Sequence, residues 1–154
     1  YIDTVFRKSL VESSIDAKRF STQPAILNNI LWYAIAETET SYFVADYSLF
    51  DTKNRFSNFR EISKQRDLKP TEYKDISDLA WFSNGYYSVY RLNENEYEYN
   101  DLRYPLLDGA NPNTSVFSLL LYKDDARLNM KPFEPKFESL GELFKSLWER
   151  IKGV

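Results

Sequence analysis

The chain has 154 residues, of which 43% are apolar, 28% charged and 17% aromatic, and its formal net charge is −3. That size and balance fit one globular domain, argue against disorder, and lack the basic surplus of a nucleic-acid binder. Cys and His are both absent, which excludes disulfides and thiol chemistry and removes the commonest general base and the commonest zinc ligand.

A carboxylate site for Mg²⁺ or Ca²⁺ stays open, but no EF-hand-like spacing of Asp and Asn is present. The first residue is Tyr1 rather than Met, so the chain is expected to be a fragment or a processed product. Its longest apolar run, Ile30 to Ala36, is far short of the roughly 20 residues of a membrane span. No signal peptide is evident.

Residues 1–18 read as a helix, with Ile2, Val5, Phe6 and Leu10 at helical spacing. Arg7, Lys8, Lys18 and Arg19 would suit a segment leaving a membrane on its cytoplasmic side, or simply a solvated helix face. The stretch Gln23 to Asp51 carries the strongest pattern. A Pro-Ala turn leads into the apolar run, a polar Glu37-Thr38-Glu39-Thr40 reversal follows, and Ser41 to Leu49 returns. Two aromatic and β-branched arms around a polar turn predict a β-hairpin. The first arm is apolar throughout, which places it in the middle of a sheet.

Lys53 to Lys69 is basic, holding Lys53, Arg55, Arg60, Lys64, Arg66 and Lys69 against Glu61 and Asp67. It reads as a solvated loop or an edge strand, with anionic lipid headgroups as the functional alternative. Pro70-Thr71 opens a helix that Asn84-Gly85 closes through a left-handed cap, with Tyr73, Ile76, Leu79, Ala80 and Phe82 on its apolar face. Tyr86–Leu92 and Tyr97–Arg103 form a second hairpin around Asn93-Glu94-Asn95. Pro105–Asn113 is a loop, Ser115–Tyr122 a fifth strand, and Asp124–Lys136 a surface linker. Ser139 and Glu142 form a capping box, after which Leu140, Leu143, Phe144, Leu147, Trp148 and Ile151 make an amphipathic stripe expected to pack on the sheet.

The fold expected is therefore α+β: an antiparallel sheet of five or six strands with helices packed on one face. Residues 1–18 form a leading helix and residues 19–154 a single soluble domain.

The motifs Pro24-Ala25-Ile26-Leu27-Asn28-Asn29-Ile30-Leu31-Trp32 and Tyr47-Ser48-Leu49-Phe50-Asp51 resemble those of the predicted membrane-bound metal-dependent hydrolases of bacteria. Trp81-Phe82-Ser83-Asn84-Gly85-Tyr86-Tyr87 and Asp101-Leu102-Arg103-Tyr104 look like later landmarks of the same family, so the likeness spans roughly Arg19 to Tyr122. Pro105 stands where that family usually has glycine. The resemblance implies the soluble C-terminal half of an inner-membrane protein, on the cytoplasmic side, with the transmembrane half missing. The family's hydrolase label rests on polar and His-containing motifs of that missing half, and these have no counterpart here.

Five residues are candidates for binding a ligand. The Asn28 and Asn29 amides could hold one, although Asn at a turn more often bonds its own backbone. Trp32 is a stacking platform or a core residue. Asp101 and Arg103 share one strand face by the two-residue period, so Arg103 would hold a carboxylate or phosphate and Asp101 would orient it; the plainer reading is a structural ion pair. Asp46 and Asp51 complete the acidic candidates. No catalytic residue and no metal ligand is assigned. The function expected is binding or regulation, with the protein's own transmembrane half and the membrane surface as partners and no nucleic acid. No cofactor is expected in this segment, while the full-length protein could hold a divalent metal. The competing readings are a share in a metal-dependent hydrolase site completed by the transmembrane half, and a pocket for a small apolar ligand.

Overall fold

A computed structural model describes residues 1–25, 29–104, 115, 117–133 and 140–153. Its elements run α1 (Ile2–Glu12), β1 (Arg19–Pro24), β2 (Leu31–Glu37), β3 (Ser41–Ser48), β4 (Ser57–Ser63), α2 (Lys74–Phe82), β5 (Tyr87–Arg91), β6 (Glu96–Asp101), β7 (Ser118–Asp124), β8 (Arg127–Pro132) and α3 (Leu140–Ile151). The strands form two antiparallel four-stranded sheets, in the orders β1-β2-β3-β4 and β5-β6-β7-β8. The α+β class therefore holds, but one sheet of five or six strands does not. Each sheet is a meander of consecutive neighbours; β4 takes the edge-strand alternative of the basic stretch, while β1 falls on residues given no strand and β8 on the expected surface linker.

The chain divides into two compact units, residues 1–63 with 136–154, and residues 64–135. In the first unit, α1 lays Val5, Phe6 and Leu10 on Ala34 and Ala36 of β2 and Ala45 and Tyr47 of β3. The three alanines leave room for the Phe6 ring, which meets Phe20 and Phe56 edge-on at 5.4 and 4.8 Å. Tyr33 and Ile35 on the opposite face of β2 are also buried, so β2 is a central strand, as its unbroken apolar run predicts. A register shift between Val44 and Asp46 marks a bulge against β4, where Asn58 takes φ 55°.

In the second unit, Ile76 of α2 packs with Leu68, Tyr87, Val89, Tyr97, Tyr99, Leu121 and Leu128. The helix stops as expected: Asn84 and Gly85 are left-handed (φ 53° and 76°), and the Gly85 N–H closes on the Ala80 carbonyl at 2.8 Å. The Tyr99 hydroxyl donates to the Leu79 carbonyl at 2.8 Å and also meets Ser83 Oγ, tying the sheet to the last turn of α2.

The C-terminal helix behaves differently from its stripe. Leu147 is half-buried and Trp148 is 61% exposed, so Trp148 does not join a core. The side chains of Leu140, Glu142, Leu143 and Phe144, and the Ser139 cap, lie outside the described residues. What anchors α3 is its end: the Ser48 hydroxyl donates to the Ile151 carbonyl at 2.6 Å, satisfying one of the carbonyls a helix leaves open. Gly153, at φ 88°, sits so close that a Cβ there would strike the Phe50 carbonyl. Among the described residues no helix is long and apolar enough to cross a membrane.

Candidate functional site

The five candidates separate. Asn28 lies outside the described residues. Asn29 is exposed, and its backbone carbonyl accepts a hydrogen bond from Trp32 Nε1 at 3.1 Å. That bond is local, of the turn-fixing kind. Trp32 is only half-buried at the edge of the α1 core, so it is not the central core residue its strand suggested. These two belong to the first unit, whereas Asp101 and Arg103 belong to the second.

Asp101 and Arg103 do form a pair, with a geometry other than the expected one. Strand β6 ends at Asp101, and Arg103 lies in the turn that follows, so the two do not share a strand face. The Arg103 backbone N–H donates to Asp101 Oδ1 at 3.1 Å, while its Nε and Nη2 donate to Oδ1 and Oδ2 at 3.0 and 2.6 Å. Asp101 is fully buried, and these bonds hold the Arg103 pKa above its usual value. Phe82 and Tyr104 flank the guanidinium at 5.3 and 5.8 Å. A fork already filled by a carboxylate is a clamp on the chain reversal, with little left for a ligand.

The larger polar cluster joins residues about a hundred positions apart. Arg150, on the last turn of α3, donates from Nη1 and Nη2 to the two oxygens of Asp51, each at 2.8 Å. Its Nε bonds Asp46 Oδ1, and Nη2 also reaches the Asp46 carbonyl at 3.3 Å. Asp51 further accepts the Ser48 N–H at 3.0 Å. Burial by itself would lower the Arg150 pKa, but the bonds to Asp51 and Asp46 leave it raised. Arg60 Nη1 stands 3.6 Å from Asp46 Oδ2, while Arg60 Nε is buried without a hydrogen-bond partner.

Beside this cluster Asp51, Thr52, Lys53, Arg55 and Ser57 line a cavity of about 250 Å³. Ser57 pairs with Asp46 across the bulge, and its Oγ is buried without a partner. Lys53 and Arg55 are exposed, and among the described residues their side chains meet no carboxylate. The charge run from Lys53 onward and the acidic candidates Asp46 and Asp51 pointed here. The contribution of Arg150 had no local signal.

A third pair holds the second unit. Arg127 Nη2 donates to Asp75 Oδ1 at 2.7 Å and the Leu128 N–H to Oδ2 at 3.0 Å. The Arg127 bond, helped by Leu128, pulls the Asp75 carboxyl down to about 2. Near it Leu79, Trp81, Phe82 and Met130 line a shallow cavity of about 490 Å³, with Trp81 84% exposed. Among the described residues no group of three or more carboxylates is placed to hold a metal ion. No protein-family model matches the chain, and neither a curated protein nor a solved structure shows significant similarity to it.

Proposed function

We propose that the chain is the soluble, cytoplasmic-side part of a bacterial inner-membrane protein of the membrane-bound hydrolase family it resembles, and that it works by binding or regulation without a complete active site of its own. The observation that carries the second half is how the carboxylates are used. Asp46 and Asp51 are engaged by Arg150, Asp75 by Arg127 and Asp101 by Arg103. A general base needs a lone pair free, a pKa brought towards neutrality and access to a substrate; Asp75 is driven the opposite way, and Glu98, whose pKa is raised, is buried within β6. What the first unit offers instead is donors: Lys53, Arg55 and Ser57 around one cavity.

The membrane setting rests on the four motifs named above and on the basic stretch that contains this cavity. The competing hydrolase reading places the chemistry in a transmembrane half, with this chain as a wall of the site. The apolar-ligand reading draws on the exposed Trp81, Phe82 and Met130. The discriminating experiment is a topology reporter fused after Val154 in the full-length protein, read together with the encoded sequence. A cytoplasmic reporter behind spans of about 20 apolar residues supports the placement. His and Asp inside those spans favour the hydrolase alternative, and a full-length protein without spans removes the membrane setting altogether.

A further inference from the structure

We infer that the cavity lined by the β3–β4 connection is a site for a phosphomonoester group, bound by Lys53, Arg55 and Ser57. The inference deepens the binding reading above and rests on it, since it names what the basic face of the first unit takes.

Four features of the cavity converge. First, among the described residues the lining carries net charge of one sign: Asp51 is paired by the two-pronged bond from Arg150, which leaves the charges of Lys53 and Arg55. Two cations match a phosphomonoester, which carries roughly −1.5 to −2 at neutral pH. Second, Ser57 Oγ is buried with no partner; a hydroxyl so placed is costly until something accepts its hydrogen bond. A phosphate oxygen accepts it. Third, the bulge at Val44/Asp46 and the left-handed Asn58 are what turn this end of β4; bulges recur where a strand must re-aim a side chain at a site. Fourth, a volume of about 250 Å³ falls below the roughly 300–1,000 Å³ of a drug-sized pocket, which suits a headgroup.

The phosphate can belong to a lipid headgroup or to a soluble molecule, and the test separates them. Inorganic phosphate is titrated into the chain by NMR. Flotation is then run with phosphatidylcholine vesicles carrying phosphatidic acid or, at equal charge, phosphatidylserine. The expected result is saturable phosphate binding that moves the amides of residues 51–58. Ser57→Ala should weaken it about tenfold, as loss of a charge-assisted hydrogen bond does, and Lys53→Gln/Arg55→Gln should weaken it further, all with melting temperatures near the parent's. Preference for phosphatidic acid over phosphatidylserine assigns the site to a lipid. Phosphate binding without vesicle binding assigns it to a soluble ligand and removes lipid headgroups as its source, leaving the site standing. Absence of phosphate binding, or binding indifferent to Ser57→Ala and to the double variant, overturns the inference. Equal, Ser57-independent attraction to both vesicles does the same, because it reports diffuse charge alone.

Discussion

Arg150 and Asp51, 99 residues apart, meet in a two-pronged ion pair with both bonds at 2.8 Å. Their side chains are only 16% and 4% exposed. This contact, with Ser48 on the Ile151 carbonyl, fastens the end of α3 to the turn after β3. Arg150→Ala removes the guanidinium that Asp51 and Asp46 share, leaving Asp46 with Arg60 and Asp51 with the Ser48 N–H. The expected loss is about 3 kcal/mol, in the range for removing one partner of a buried pair. Denaturant unfolding of Arg150→Ala, Asp51→Ala and the double variant should give a coupling of about 1–3 kcal/mol; additive losses would show the pair to be decorative.

The turn after β6 gives a second case. Arg103→Ala leaves the fully buried Asp101 with the backbone N–H of residue 103 as its remaining donor there. A loss of about 3 kcal/mol is expected. Stability unchanged, with in-cell function of the full-length protein lost, would instead make Arg103 a ligand-binding residue.

These two pairs show what local sequence can and cannot carry. Asp101 and Arg103 are two positions apart, so their pairing was readable, although the turn that makes it replaced the strand face expected. Arg150 reaches Asp46 and Asp51 only through the path of the whole first unit, and no spacing rule encodes that. The β2–β3 hairpin was legible because Leu31–Ala36 is apolar enough to be buried on both faces. The edge strands β1 and β8 were not. In β1 no residue is fully buried, and in β8 only Leu128 is, so neither has the alternation that signals a strand. Without them, the eight strands of the described residues, in two sheets, read as one sheet of five or six.

Acid should weaken the second unit through Asp75. Its folded pKa, about 2, lies below the ordinary 3.8, so its contribution is present above pH 4 and disappears as pH falls towards 2. Unfolding followed across that window should show Asp75→Asn losing less stability than the parent. Parallel curves would remove the Arg127 bond from the account.

Glu98 has the opposite sign. Burial raises its pKa, Asn100 only partly opposing this, and Oε1 is left without a hydrogen bond. A raised carboxyl favours the folded state at low pH and is a burden once pH exceeds its unfolded value of about 4.3. Glu98→Gln should therefore be more stable than the parent at pH 7 and no more stable at pH 4. A variant less stable at both pH values would mean that the carboxylate has a partner that its isolation in the sheet conceals.

The claim that this chain binds and does not catalyse by itself is tested by turnover. The purified chain is assayed against phosphoesters, carboxylic esters and peptides with added Zn²⁺, Mn²⁺ or Mg²⁺. The account predicts no hydrolysis above the metal-only control, since the described carboxylate clusters are held by Arg150, Arg127 and Arg103. Robust turnover abolished by Asp51→Asn or Asp101→Asn, in variants that remain folded, would contradict it.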